Sequence, residues 1–174
     1  MEFHSTEEIY VQTAKLIPEG IPVHLLDLGC CTELEYDAFI QVNSKIEVTG
    51  IDEESHLKKM LERKSGKRIE RLRLIYGDYW NADLGKHHYN AVMSIMELGK
   101  RSRKDMLVLY KKIYDALDTD GCYIEREWVK EEAETSVNIS NLFSKQVALL
   151  LETGFQRVEK AWHKDNIILL RAIK

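Results

Sequence analysis

Short apolar runs alternate along this chain with longer stretches whose apolar residues recur every three or four positions, the pattern of parallel strands covered by crossover helices. The first run, Val23 to Leu28, is broken by Gly29, and Leu34, Ala38, Phe39 and Val42 then mark one face of a helix. Lys45 to Ile51 reads as a second strand ending at Asp52, followed by a very basic helix from about Glu53 to Lys64 that Ser65-Gly66 closes. A third strand, Leu72 to Tyr76, stops at Gly77-Asp78, and a fourth, Tyr89 to Ile95, follows a polar connection. The clearest helix carries Met106, Leu109, Tyr110, Ile113 and Leu117 at helical spacing, and Asp118-Thr119-Asp120-Gly121 ends it before a fifth strand, Cys122 to Glu125. A last helix is marked by Phe143, Val147, Leu150 and Leu151. Beyond Gly154 two strands, Phe155 to Trp162 and Asn166 to Ile173, are joined only by His163-Lys164-Asp165. That link is too short for a crossover helix, so the sheet is expected to finish in an antiparallel hairpin.

With 174 residues the chain is expected to form a single domain, 1–174, because two independent cores would each approach the size at which burial no longer suffices. Hydrophobic residues make up 44% and charged residues 31%, which excludes disorder and fibrous classes, and no run approaches the ~20 apolar residues of a membrane span. Acids stand near the start, at Glu2, Glu7 and Glu8, where a secretory signal needs basic residues, so a cytoplasmic location is expected. The net charge of −4 gives no global attraction to nucleic acid or to acidic membranes. Three cysteines, Cys30, Cys31 and Cys122, make neither a disulfide framework nor a zinc site by themselves.

In an open parallel sheet, ligands bind outside the carboxyl ends of the strands. Three acids occupy such ends: Asp27 in strand one, Asp52 after strand two and Asp78 just past strand three. Any one of them could merely cap the next helix. An acid after the second strand also suits a ribose, since one carboxylate accepts from both hydroxyls, and three acids in register favour a nucleoside.

At this point the whole chain resembles the class I S-adenosylmethionine-dependent methyltransferases. Leu26-Asp27-Leu28-Gly29-Cys30-Cys31-Thr32-Glu33 is similar to their glycine-rich first motif, Val48-Thr49-Gly50-Ile51-Asp52 to the second and Gly77-Asp78-Tyr79 to the third. Tyr89-Asn90-Ala91-Val92-Met93-Ser94 resembles the strand-four motif, and Leu117 to Gly121 stands where the family has a Leu-Lys-Pro-Gly-Gly turn. The resemblance implies an α/β, three-layer, Rossmann-like methyltransferase fold, with a mostly parallel seven-stranded sheet ending in an antiparallel hairpin. It implies S-adenosylmethionine as cofactor, held by Asp27, Gly29, Cys31, Asp52, Asp78, Tyr79 and Ser94, with Asp52 on the ribose, Asp78 on the adenine amine and the Gly29 loop facing the methionine part. It further implies a small-molecule methyl acceptor; homo-oligomerisation stays open.

The departures from the family pattern bear on the same site. Where the pattern is Gly-x-Gly-x-Gly, the chain has Gly29, Cys31 and Glu33, so the loop is narrower and carries a carboxylate near the expected methionine carboxylate. Like charges in a partly dry cleft repel by roughly 1 kcal/mol or more. After strand four stand Gly99-Lys100, then Arg101, Arg103 and Lys104, which supply no ready-made base, so no catalytic residue is assigned. Transfer from an activated sulfonium can still be accelerated by positioning alone, an effect worth up to roughly 7–11 kcal/mol. Tyr79, Trp80, Met96, Glu97 and Glu125 are candidates to hold an acceptor, although Trp80 and Met96 also suit core packing, and Glu97 and Glu125 suit a solvated strand end. The alternative function is a catalytically degenerate methyltransferase-like binding or regulatory module.

Other features carry weaker signals. From Lys58 to Arg73 eight basic residues face only Glu62 and Glu70, but no aromatic residue interleaves the run, so a solvated surface is favoured over nucleic-acid binding. His87-His88 lacks a third ligand at suitable spacing, and no metal is expected. Cys30-Cys31 lacks the two-residue spacer of a redox pair. A nicotinamide dehydrogenase would need a Gly-x-Gly-x-x-Gly turn, which Gly29 followed by Glu33 does not supply.

Overall fold

The computed structural model describes residues 4–29, 33–53, 71–95, 101–128 and 136–174. Seven strands form one sheet: β1 (Val23–Leu28), β2 (Ile46–Asp52), β3 (Leu72–Tyr76), β4 (Tyr89–Ile95), β5 (Leu117–Trp128), β6 (Arg157–Lys164) and β7 (Ile167–Ile173). Their spatial order is β3-β2-β1-β4-β5-β7-β6. Pairing is parallel from β3 through β5 and antiparallel on both sides of β7, so β7 alone runs against the rest. The helices among the described residues are α1 (His4–Ala14), α2 (Glu33–Val42), α3 (Arg103–Ala116) and α4 (Ser136–Thr153).

A parallel strand covered on both faces shows no alternation, which is why β1 reads as a nearly unbroken apolar run and is buried from Leu25 to Leu28. Its side chains divide between two cores. Val23 and Leu25 join Ile9, Tyr10, Tyr36 and Phe39 of α1 and α2. Leu26 and Leu28 join Met106, Leu109, Tyr110 and Ile113 of α3 and Leu149 and Leu150 of α4. The molecule is therefore three layers, α1/α2, sheet and α3/α4.

The sequence-based limits of β1, β3 and β4 hold to the residue, and the antiparallel hairpin is present. Several expectations need correction. The second strand begins at Ile46, and the hairpin turn is Asp165-Asn166, with Asp165 left-handed at φ 51°. Helix α3 passes directly into β5: the Leu117 amide donates to Ile113, and Leu117 pairs with Tyr89 before Ala91 pairs with Cys122. Asp118 to Gly121 are thus bulged out within β5. Leu34 is 50% exposed and Leu151 48% exposed, because Glu35 and Gln146 take the inward positions of α2 and α4 instead. Helix α1 is an element that the periodicity did not reveal. The basic helix expected from about Glu53 lies outside the described residues. No helix among the described residues is long and apolar enough to cross a membrane.

The β5 bulge depends on a close approach. A Cβ on Gly121 would stand 2.9 Å from the Asp118 carbonyl oxygen and 3.3 Å from that of Asn90, neither of which can swing aside like a side-chain tip. Gly121→Ala should destabilise the fold by about 1–3 kcal/mol, read as a lowered urea midpoint with unchanged slope.

Candidate functional site

The chain builds β1, β2 and β3 outward in one direction, then returns to the other side of β1 for β4, so the sheet order reverses between β1 and β4. A ligand crevice is expected at that switch, beyond the carboxyl ends of the strands. The register aligns those ends: Ile75 lies beside Ile51, Ile51 beside Leu28, Leu28 beside Ser94, and Ser94 beside Glu125.

Against this row the predicted residues fall at different depths. Asp27 lies one step inside, between Gly50 and Met93, and is fully buried. Asp52 lies one step outside, beside Tyr76, and is half-buried. Strand alternation puts Asp27 and Asp52 on the α1/α2 face. Gly29 ends β1 in a left-handed conformation, φ 78°, with its amide donating to the Ile51 carbonyl at 2.9 Å. Only glycine adopts that conformation without strain, and it leaves the backbone beside the crevice open to close approach. Tyr76 is 78% exposed beside Asp52. A half-buried carboxylate at the end of β2, beside left-handed Gly29 at the end of β1, has the chemistry to fit the nucleoside part of S-adenosylmethionine. Cys31 and the side chain of Glu33 lie outside the described residues, as do Met96 and Glu97.

Asp78 is engaged locally. Its carboxylate accepts from the Trp80 amide at 2.8 Å and from the Asn81 side-chain amide, while its carbonyl accepts from the Asn81 and Ala82 amides. The carboxylate thus stabilises the turn after β3 while keeping lone pairs for a further donor. The Tyr79 ring is buried in the core on the α3/α4 side, and Trp80 packs partly buried against that core with the Arg101 guanidinium 4.6 Å from its ring centre.

Ser94 belongs to a polar network on the α3/α4 face. Its hydroxyl lies 2.6 Å from the Tyr123 hydroxyl. Next along β5, Glu125 is fully buried, not a solvated strand end. It accepts from the Tyr110 hydroxyl at 2.7 Å and from the Gln146 amide at 2.6 Å. Burial is the main force pushing the Glu125 pKa up to about 8; the nearby Glu127 charge adds to it, and the Tyr110 hydrogen bond opposes it. Burial and Glu125 hold the Tyr110 and Tyr123 phenols well above their ordinary range. On the opposite face Arg126 makes a buried ion pair with Glu35, Nη1 to Oε1 3.1 Å.

The rim therefore brings Ser94 and Glu125 together on one face of the sheet, and Asp27 and Asp52 on the other. Sequence reasoning missed Tyr110 and Gln146 as partners of Glu125, and Tyr123 as the partner of Ser94. The signal available was the run Glu125-Arg126-Glu127 inside a strand, where three successive charges imply partners on both faces. Among the described residues no group of three His, Cys, Asp or Glu side chains is placed to hold a metal ion.

No family model matches the sequence, and a search of curated proteins found no match. Solved structures do match. A protein of Nostoc punctiforme assigned as an O-methyltransferase superposes with a TM-score of 0.78 at 19% identity, over 97% of this chain and 57% of its own. Human N-acetylserotonin methyltransferase, in complex with S-adenosylmethionine, gives 0.67 at 15% identity over 98% of this chain and 52% of its own. A Listeria monocytogenes protein assigned as an S-adenosylmethionine-dependent methyltransferase gives 0.70 at 18% identity, over 98% of this chain and 99% of its own. The chain spans little more than half of the first two and the full length of the third. With its strand order, its single reversed strand β7 and these likenesses, the chain has the fold of the class I S-adenosylmethionine-dependent methyltransferases.

Proposed function

We propose that this chain is an S-adenosylmethionine-dependent methyltransferase acting on a small molecule. The observation that carries the reading is Asp52, a half-buried carboxylate one step beyond the rim, two strands from the β4 side of a switch-point crevice that left-handed Gly29 leaves open. The fold shared with methyltransferases, one of them holding the cofactor, supports it. When bound, the cofactor supplies a methyl group already activated on a sulfonium.

The residues of this chain then bind and position. Asp52 accepts from the two ribose hydroxyls, Asp78 accepts from the adenine amine with the lone pairs its turn leaves over, and the Gly29 backbone admits the methionine end. Asp27 and Ser94 brace that crevice from within the row, and Tyr79 anchors the turn that carries Asp78. No base is assigned, and the rate enhancement rests on alignment of donor and acceptor.

A second reading, a degenerate module that has lost the cofactor, draws on the engagement of Asp78 by Trp80 and Asn81 and on the replacement of two loop glycines. Calorimetric titration with S-adenosylmethionine and S-adenosylhomocysteine separates the two: micromolar binding supports the enzyme, silence at millimolar ligand the module. In the first case Asp52→Ala should cost roughly 2–3 kcal/mol of affinity, because charge-assisted hydrogen bonds are lost, with little change in the unfolding midpoint. Equal affinity in the mutant would remove Asp52 from the site.

A further inference from the structure

A cavity of about 500 Å³ lies between α3 and α4, on the outer side of the polar network and away from Asp52. Its size falls within the range of small-molecule sites, roughly 300–1,000 Å³. The wall is apolar where it is deepest: Met106 of α3 and Leu149 of α4 are buried, and Leu142 adds to them at one end. Gln146 closes the inner side and is rigidly held, since its amide nitrogen donates to the buried Glu125 carboxyl.

The charged residues around this apolar floor are unequal in sign. Arg101, Arg103 and Lys145 stand at the edge against one acid, Glu152, in a chain whose net charge is −4. Each cation is held differently. Arg101 is oriented by stacking on the Trp80 ring. Arg103 is paired with Glu152 where both side chains are about half or more exposed, an arrangement that an incoming carboxylate can share or replace at little cost. Lys145 is exposed and has no ion-pair partner among the described residues. An apolar floor under an excess of two positive charges is complementary to a molecule with an apolar body and an anionic head. A guanidinium further selects a planar carboxylate, which it can bind through two parallel hydrogen bonds.

We propose that the α3/α4 cavity is a binding site for an amphipathic organic carboxylate, with the apolar part over Met106 and Leu149 and the carboxylate between Arg103 and Lys145. The site does not depend on methyl transfer, and its occupancy can be read on the protein without cofactor.

The probe is 2-naphthoate, compared with the neutral 2-naphthalenemethanol, both titrated calorimetrically into the full chain. Naphthoate should bind one site at least about tenfold more tightly than the alcohol, a preference of about 1.4 kcal/mol. Added salt should weaken the acid and leave the alcohol unchanged. Lys145→Glu should remove the preference, and Ala148→Trp should abolish binding of both probes by filling the cavity. Both positions are exposed, so neither change should disturb the fold, and the unfolding midpoint verifies this. Equal affinities for the two probes, or naphthoate binding that survives Ala148→Trp, would overturn the proposal. So would a dimer in sedimentation that Ala148→Trp dissociates, since the groove would then hold a second copy of the chain.

Discussion

Glu125→Gln should flatten the dependence of stability on pH and make the protein more stable than wild type in mild alkali. The Glu125 carboxyl titrates near 4.5 in an ordinary setting and at about 8 in the folded chain, chiefly through burial and then through Glu127. Below the ordinary value both folded and unfolded chains hold the proton, and its contribution is fully present. Between the two values the unfolded chain has lost a proton that the folded chain keeps, so each pH unit upward favours unfolding by about 1.4 kcal/mol. Above the folded value both forms are ionised and the loss is complete, at a size of the order of 5 kcal/mol. Glutamine keeps the shape, its amide oxygen can accept from Gln146 while its amide nitrogen donates to the Tyr110 hydroxyl oxygen, and it has nothing to titrate. Urea unfolding followed across this range should show the wild type weakening with rising pH and the mutant level, the gap widest above about pH 8. Glu127→Gln should shrink the gap from the wild-type side, because it removes a charge that holds the proton on Glu125. Parallel curves for wild type and Glu125→Gln would mean that Glu125 ionises as easily as a surface acid.

On the other face of β5, Glu35→Ala should cost about 3–5 kcal/mol. Glu35 and Arg126 are both buried, 3.1 Å apart, and the Arg126 guanidinium also lies 5.3 Å from the Tyr10 ring centre. Removing the carboxylate leaves a cation in the core without its counter-charge, and a tyrosine face offsets only part of that. The double change Glu35→Leu with Arg126→Met should recover most of the loss, because two apolar side chains of similar volume carry no desolvation penalty. Unfolding midpoints of the two single variants and the double variant test the non-additivity. A loss under about 1 kcal/mol for Glu35→Ala would mean that the ion pair does not hold α2 against the end of β5.

The limits of β1, β3 and β4 were legible because each is a short apolar run bounded by a turn, and the hairpin because three residues cannot cross a sheet. Helix α1 was not legible. Its inward residues Ile9, Tyr10 and Ala14 are spread among polar neighbours, and they make a face only against α2 and the sheet. The expected rim of acids was legible as positions along the chain, since Asp27, Asp52 and Asp78 follow directly from where strands end. Their depths were not: one buried, one half-buried and one folded into its own turn are outcomes of register and of the local path after β3.

The phase of a helix shows the division most clearly. Apolar spacing alone put Leu34 and Leu151 on inward faces, whereas Glu35 and Gln146 are the residues turned in. A polar side chain can be buried only where a partner meets it, and the partners stand far along the chain: Arg126 is 91 residues from Glu35, and Glu125 is 21 from Gln146. By itself the sequence determined what depends on neighbours within a turn or a strand: the order of the elements, their alternation and the acids at their ends. The tertiary structure alone decided which charges are paired, which carboxyl keeps its proton near neutral pH and where a cavity remains between α3 and α4. Those properties depend on burial and on contacts between residues that only the folded sheet brings together.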